Sequence, residues 1–305
     1  MIHPDFVGCD VSKHTLDVFD AGRSERLDNT PAACAILADR LRGRFVVFEA
    51  TGGYDRALRD ALGGAGVAFA RVNPGKARDF ARAAGFLAKT DKVDARMLAA
   101  FGQALKPDAD APPERAREQL SELVKRRDQL VKMRMQERVR RSEAQAGAMH
   151  DDISDHLAWL DARIKRIDAA ITALSTTEAP LKCAIAHLKT APGVGQVTAT
   201  VLTALMPELG RRSPKSIAAL AGLAPLNADS GLMRGQRRIK GGRRRVREAL
   251  YMAAISAIRC NARFAEFYRR LRDAGKAAKL AIIAVARKLL IALNAMARDN
   301  APFAA

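Results

Sequence analysis

The chain has 305 residues, of which 49% are hydrophobic and 28% charged, and a formal net charge of +19. This length allows about two domains with buried cores, and the hydrophobic content excludes a disordered or fibrous chain. We find no uninterrupted apolar stretch near the roughly 18 residues that a membrane span requires, and residues 1–8 lack the features of a secretory signal. The four cysteines form no CxxC pair, which argues against a zinc site or a disulfide framework. We therefore expect a cytoplasmic globular protein.

The excess positive charge lies entirely in the C-terminal part of the chain. Residues 1–114 contain 16 basic and 16 acidic residues, whereas residues 115–305 contain 36 basic and 17 acidic ones. Clustered Lys and Arg residues indicate a polyanionic partner, because they displace counterions from phosphates. Nucleic acid is the leading candidate. The alternatives are a basic surface that serves only solubility, or a membrane surface, although no short aromatic amphipathic anchor accompanies the bases.

The neutral N-terminal part alternates strand and helix patterns. The predicted elements are two antiparallel strands over 5–22, a helix over 31–43, a buried strand from 44 that ends at Glu49, a helix over 54–66, a strand over 67–74, and helices over 74–85 and 89–105. This order predicts an α/β sheet with helices packed on it. A Pro-rich linker over 106–115 closes the module.

The basic part is predicted to be mostly helical. Residues 114–175 have apolar residues at helical spacings with dense charge between them, which is typical of a seam between partner helices, within one chain or between subunits. We expect Trp159, in this stretch, to pack in a core. The Pro-Gly-Val-Gly turn at 192–195 precedes an apolar helix, as in helix-hairpin-helix DNA-binding motifs, although a plain helix connection explains it nearly as well.

Four acids of the neutral part are candidate metal ligands. Asp10 lies within a predicted strand, and Glu49 closes one, at the strand edge where α/β sheets place their ligands. Asp91 and Asp94 are three residues apart, so a helix projects both from one face, where a cation would relieve their repulsion. Oxygen ligands without a Cys or His cluster favour Mg²⁺ or Mn²⁺, and two such ions can promote in-line displacement at a phosphodiester. The alternative for Asp91 and Asp94 is ion pairing with nearby bases on an exposed helix.

Six motifs in one order resemble a known family. These are GCDVSKHTLDVF, FEATGGYD, KTDKVDA, LAGLAP, the SG of NADSGLMRGQ, and REALYMAA. From about Phe6 to Met296 the chain resembles the DEDD transposases of the insertion-sequence one-ten family. The resemblance implies an RNase H-like N-terminal domain, similar to the Holliday-junction resolvase RuvC, with Asp10, Glu49, Asp91 and Asp94 as the metal-binding tetrad. It also implies a helical C-terminal domain in which Ser230 is a nucleophile on DNA, and a noncoding RNA of the element that pairs with donor and target DNA.

These inferences predict three regions. They are a RuvC-like catalytic domain over 1–113, a helical, coiled-coil linker and oligomerisation segment over 114–180, and a mostly α-helical transposase domain over 181–305. From the residues alone, a serine in a turn is the favoured interpretation of Ser230, and its role as a nucleophile comes from the resemblance. The residues predicted to contact nucleic acid are Lys13, Lys89, Arg234, Arg237, Arg238, Lys240, Arg243, Arg244 and Arg245. For Lys13 and Lys89, surface solvation is an equal alternative.

The predicted function is that of a DNA transposase or recombinase of a mobile insertion sequence, using Mg²⁺ or Mn²⁺, with two ions expected. Its predicted partners are donor and target DNA, a guide RNA, and further copies of the chain in a dimer or tetramer, with no membrane. We expect it in a prokaryotic cytoplasm, associated with the nucleoid. One alternative is a structure-selective nuclease of the resolvase class, which would use the same acids with water as nucleophile. The other is a basic nucleic-acid-binding protein without catalysis.

Overall fold

A computed structural model describes most of the chain as two compact units, Met1–Glu114 and Arg115–Ala305. The residues described are 6–50, 52–86, 91–111, 114–226, 238–239 and 241–303. The first unit is α/β and the second is helical apart from one short two-stranded sheet.

The first unit contains a five-stranded mixed sheet. Its elements are β1 (Phe6–Val11), β2 (Thr15–Asp20), β3 (Arg23–Asp28), α1 (Pro31–Arg40), β4 (Phe45–Glu49), α2 (Arg56–Gly64), β5 (Ala68–Val72), α3 (Pro74–Ala83) and α4 (Asp91–Leu105). The strand order is β3-β2-β1-β4-β5, with β1, β2 and β3 antiparallel and β4 and β5 parallel to β1. Where a single return strand was expected, the chain forms β2 and also β3, whose polar sequence RSERLD hides its strand pattern.

Helices cover both faces of the sheet. The alternation of β1 sends Cys9 to the face covered by α1 and α2, where it packs with Leu37 and Leu58. On the other face, Val47 of β4 packs with Leu98 and Phe101 of α4. Because helices cover both faces of the sheet, a site is expected at the strand ends, where polar residues remain half-buried.

The second unit is built on helices α5 to α12. They are α5 (Arg115–Glu143), α6 (Ala148–Thr177), α7 (Ala179–Leu188), α8 (Gln196–Leu205), α9 (Pro214–Leu220), α10 (Arg244–Cys260), α11 (Ala262–Asp273) and α12 (Ala278–Asp299). Strands β6 (Pro225–Leu226) and β7 (Arg238–Ile239) pair antiparallel between α9 and α10. The two helices predicted over 114–175 are α5 and α6, which pack against each other and are tied by ion pairs such as Arg134 to Asp161 at 2.7 Å.

One expectation for this unit is corrected by the structure. Trp159 is 51% exposed on α6, with the guanidinium of Arg163 over its ring at 5.6 Å, so the prediction that it packs in a core is wrong.

Within the described residues, α12 is long and apolar enough to cross a membrane by length and composition alone. Leu289 and Leu293 of this helix are completely buried in the core of the second unit, which accounts for its hydropathy.

Candidate active site

Parallel pairing of β1 and β4 brings two of the predicted metal ligands together. The register pairs Phe6 with Phe45 and continues to Cys9 with Phe48. Asp10 and Glu49 are the next residues on the two strands, so they stand side by side at the same edge of the sheet although 39 positions separate them. Both are half-buried. This is the carboxyl edge of parallel strands, where open α/β sheets place their ligands.

Helix α4 places the other two predicted acids at the same edge. A Cβ added to Gly8 would lie 1.9 Å from the backbone oxygen of Ala95, so α4 packs directly on the backbone of β1. Further along the helix, a Cβ on Gly102 would meet the ring of Phe6. The helix therefore runs antiparallel to β1, and its N-terminal turn lies at the end of the strand where Asp10 is found.

Asp10 and Glu49 share one face of the sheet as well as one edge, and this is the face on which α4 packs. Gly8, which faces α4, and Asp10 are two residues apart on β1, and so are Val47 and Glu49 on β4, so each pair points to the same side. Asp94 immediately precedes Ala95 on α4 and is half-buried. Asp91 is the first residue of the helix, but its side chain lies outside the description.

Metal binding by the tetrad stays a prediction. Among the side chains that the structure describes, no group of three or more His, Cys, Asp or Glu residues is arranged to hold a metal ion. That set leaves out Asp91. Lys89, which was predicted to contact nucleic acid, also lies outside the described residues.

A fifth acid, which was not predicted, lies beside Asp10. Asp17 of β2 is directly opposite Asp10 in the antiparallel register, so the two side chains share a face. Asp17 is only 3% exposed and accepts hydrogen bonds from Nε of Arg26 at 3.0 and 3.2 Å. The signal was available in the sequence, because LDVF places an acid between two apolar residues of a strand. Arg26 neutralises charge that would otherwise add to the repulsion within the acidic cluster.

The turn after Asp10 is fixed by the serine of the DVSK motif. The hydroxyl of Ser12 accepts hydrogen bonds from the backbone N–H groups of His14 and Thr15 at 3.3 and 2.9 Å. Lys13 is exposed at the tip of this turn. Its contact with a phosphate stays a prediction.

The thiol next to Asp10 has no place in this chemistry. Burial raises the pKa of Cys9 well above its usual value, and the negative charge of Asp10 raises it further. Its side chain points to the α1 and α2 face, away from the acids. A thiol held neutral in this way is a poor nucleophile and a poor metal ligand.

Four predicted site residues of the second unit lie outside the described residues. They are Ser230 and three predicted DNA contacts, Arg234, Arg237 and Lys240. Arg238 is a backbone partner in β7, and its side chain is likewise not described. The structure does describe both ends of this segment. Pro225 pairs with Ile239, and Leu226 pairs with Arg238.

Close contact between Gly242 and Gly222 brings the chain before α10 next to the end of α9. A Cβ at Gly242, whose φ is +79°, would lie 2.2 Å from the Cα of Gly222. Arg247 donates to the carbonyl of Gly241 at 3.1 Å. The two glycines of KGGRRR are therefore explained at least in part by backbone packing and positive φ.

The arginines at the start of α10 have different surroundings. Arg243 forms a two-pronged ion pair with Glu208, with both N–O distances 2.6 Å, and Arg245 donates to Asp128 at 2.6 Å. Arg244 is 84% exposed at its side chain, and its ion pair among the described residues is with Glu248, one turn along the same helix. Of these three predicted nucleic-acid contacts, Arg244 is therefore the one presented to solvent.

The Pro-Gly-Val-Gly turn before α8 also has a structural explanation. A Cβ on Gly193 would lie 2.3 Å from the backbone oxygen of Ala253, and its φ is +78°. The glycine thus allows the turn to pack on α10. A phosphate site at this turn stays a prediction.

Comparison with known proteins identifies the family. A model of the DEDD transposases of IS110 matches residues 7–144, and a model described as transposase of the IS116/IS110/IS902 family matches residues 185–269. The pilin gene-inverting protein of Moraxella lacunata is 30% identical over 262 residues, which cover 85% of this chain and 81% of that protein. The chain belongs to the IS116/IS110/IS902 family of transposases. The resemblance drawn from the six motifs is thereby confirmed.

This IS110 family transposase is also similar to a second pilin gene-inverting protein and to a protein of an insertion element. The pilin gene-inverting protein of Moraxella bovis is 31% identical over the same length. A protein of the insertion element IS116 from Streptomyces clavuligerus is 30% identical over 172 residues, which are 56% of this chain and 42% of that protein. The family assignment establishes a transposase or recombinase that acts on DNA.

Proposed function

We propose that the chain is the transposase of a mobile insertion sequence and cuts and rejoins DNA phosphodiesters at the acidic edge of its first unit, using Mg²⁺ or Mn²⁺. The observation that carries this proposal is the convergence of Asp10, Glu49 and the first turn of α4 on one edge and one face of the sheet. We further propose that this unit has the RNase H-like, RuvC-like fold. Its strand order, with three antiparallel strands followed by two parallel ones, supports that assignment.

The residues at the acidic edge fit hard divalent cations. Asp10, Glu49, Asp91 and Asp94 supply only oxygen ligands, which suit Mg²⁺ and Mn²⁺ better than zinc. The three of them whose side chains are described are half-buried, so they are partly shielded from solvent yet open to a substrate. Two bound cations would supply Lewis-acid stabilisation of the negative charge that develops at the phosphate.

Ser230 is proposed as the nucleophile on DNA. Its Oγ forms a bond to phosphorus while a P–O bond of the strand breaks and releases a DNA hydroxyl. A second DNA hydroxyl then attacks the phosphoserine ester, which restores a phosphodiester and frees the serine. The number of phosphoester bonds is constant throughout, so the exchange needs no external energy source.

Charge in the rest of the chain supports binding of nucleic acid. Lys13 is exposed on the turn that follows Asp10, and Arg244 is exposed at the start of α10. We propose that the partners are donor and target DNA together with a guide RNA encoded by the element, and that two or four copies of the chain act together. The names of the two Moraxella relatives, which invert a pilin gene, support a recombinase rather than a simple nuclease. A prokaryotic cytoplasmic location at the nucleoid follows from this role.

Two other functions remain as alternatives. A resolvase-like nuclease would use the acidic edge with water and would not require Ser230. A basic nucleic-acid-binding protein without catalysis would require neither, and its binding would survive replacement of the acids.

The decisive experiment is a strand-transfer assay with purified protein, Mg²⁺, and the DNA and RNA that flank the gene. Wild type is compared with Asp10→Asn and Ser230→Ala, and with Asp39→Asn, which changes an exposed acid of α1, as the matched control. We expect wild type and the control to form a covalent protein–DNA adduct on a denaturing gel and both site variants to lose it.

Each alternative has its own signature in this assay. Cleavage by Ser230→Ala at the wild-type rate would favour the resolvase-like nuclease. If the four proteins bind DNA in a salt-sensitive manner and none of them cleaves it, the result would favour a basic nucleic-acid-binding protein without catalysis.

A further inference from the structure

Asn29 connects the two loops that follow the acidic strands. It lies between β3 and α1, and its side-chain amide nitrogen donates to the carbonyl of Ser12 at 2.8 Å and to the carbonyl of Tyr54 at 2.9 Å. Ser12 is two residues after Asp10, and Tyr54 is five residues after Glu49. One side chain therefore bridges the chain segments that leave β1 and β4.

Two further polar groups of Asn29 are also engaged. Its backbone N–H donates to the carbonyl of His14 at 2.8 Å, and its side-chain oxygen accepts from the thiol of Cys34 at 3.8 Å. A bridge between two carbonyl oxygens requires two N–H groups on one short side chain, which a carboxamide has and a carboxylate or hydroxyl lacks. The contacts thus explain why asparagine in particular occupies this position.

The bridge lies just beyond the last pair between β1 and β4. That pairing runs as far as Cys9 and Phe48, so Asp10 and Glu49 come one residue after it. Each acid is still paired on its outer side, Asp10 with β2 and Glu49 with β5. Between the two strands themselves, Asn29 supplies a link beyond the last pair.

We propose that Asn29 is a positioning residue, which holds these two loops together and thereby sets the separation of the Asp10 and Glu49 carboxylates for a divalent cation. This inference rests on the proposed function, because it assumes that the two acids bind metal. Supporting groups around metal ligands commonly change affinity by about 10- to 100-fold when removed.

The test compares Asn29→Ala with Thr30→Ala in the full chain. Thr30 is the adjacent residue and caps α1 by accepting from the N–H of Ala33, so its loss weakens the same helix start without touching either loop. Binding of Mn²⁺ alone is measured by calorimetry without DNA, and amide hydrogen exchange is followed in peptides that cover 10–15 and 49–56. We expect Asn29→Ala to bind Mn²⁺ about tenfold more weakly and to exchange faster in both segments, and Thr30→Ala to match wild type in both measurements.

A second variant guards against a failure to fold. Asn29→Asp keeps the size of the side chain but removes both donors, and we expect the same faster exchange in both loops. Wild-type Mn²⁺ affinity in a folded Asn29 variant would overturn the inference. An Asp10→Ala arm separates the two proposals: if Mn²⁺ binding is absent from wild type or survives this change, the proposed metal site itself fails, and the inference fails with it.

Discussion

In the first unit two of the predicted metal ligands are far apart in sequence and adjacent in space, whereas in the second unit consecutive arginines pair with different partners. Asp10 and Glu49 meet because two parallel strands pair in register. Arg243 and Arg245 are two residues apart, yet one pairs with Glu208 and the other with Asp128. Charge that is contiguous in sequence is therefore a poor measure of charge available to a ligand.

The difference follows from what each unit must satisfy. In a sheet the backbone ladder fixes the relative positions of residues at strand ends, so side chains there are free to serve a site. In a helical unit of high positive charge, helices are joined largely by side chains, and several arginines are used to join them. Substitutions that change the packing on the sheet or the arginine pairs of the helical unit should break or sharpen this contrast.

The largest effect is expected from Gly8→Ala. The added methyl group would lie 1.9 Å from the backbone oxygen of Ala95, and backbone cannot move aside as a flexible side chain does. We expect α4 to be displaced from β1, with a loss of about 3 kcal/mol in the stability of the first unit and loss of DNA cleavage. Thermal unfolding followed by circular dichroism measures the loss of stability, and hydrogen exchange in residues 6–11 measures the displacement of α4 from β1.

The matched control is Gly64→Ala at the end of α2, where the added methyl group meets nothing within 4 Å. We expect it to unfold at or slightly above the wild-type temperature, because alanine restricts the unfolded chain more than glycine does. If Gly8→Ala were as stable and active as this control, close packing of α4 on β1 would not determine the site.

The next largest effect is expected from Glu208→Gln in the second unit. Burial alone would raise the pKa of the Glu208 carboxyl, but its hydrogen bonds to Arg243 and the charge of that guanidinium outweigh burial, so the pKa is lowered. We expect a loss of about 1–2 kcal/mol at pH 7, because a charge-assisted pair is broken in a partly buried setting. Urea unfolding followed by the fluorescence of Trp159, which lies in this unit, measures the change.

The stability difference between wild type and Glu208→Gln is expected to depend on pH. A carboxyl whose folded pKa is lowered stabilises the protein above its unfolded pKa, near 4.3, and that stabilisation is lost as the pH falls through the folded pKa. The difference between wild type and Glu208→Gln should therefore be full at pH 7 and shrink as the pH falls through the folded pKa of Glu208. A difference that stays constant over this range would mean that Glu208 acts through packing instead of charge.

Much of the first unit could be predicted from its sequence. Apolar alternation and Gly and Pro signals located four of its five strands, and isolated acids in apolar strands pointed to Asp10 and Glu49. The strand β3 was missed because RSERLD has no apolar alternation, and it is held mainly by its pairing with β2. Asp17 was missed because its proximity to Asp10 depends on the exact register between β1 and β2.

The second unit could be predicted less well from local patterns. Helices were evident from spacing, but the partners of Arg243 and Arg245 are 35 and 117 positions away, so no local rule identifies them. Trp159 was misplaced for a related reason: the apolar stripe of α6 faces α5, and the tryptophan lies outside that seam, beneath Arg163. Helical periodicity shows which residues share a face, but not which partner that face meets.

The smallest effect is expected from Arg244→Ala. Because this side chain is exposed and its ion pair among the described residues lies within its own helix, we expect the unfolding temperature to stay near that of wild type while DNA binding weakens severalfold, with the salt slope of log K reduced by about 1. Arg245→Ala is the matched comparison, since it breaks the pair with Asp128 and should lower the unfolding temperature. Fluorescence anisotropy titrations at several salt concentrations, with thermal unfolding of both variants, test the pair. An equal salt slope in wild type and Arg244→Ala would show that exposure at the start of α10 does not mark a phosphate contact, and the nucleic-acid surface would then have to be sought on other exposed bases of the unit.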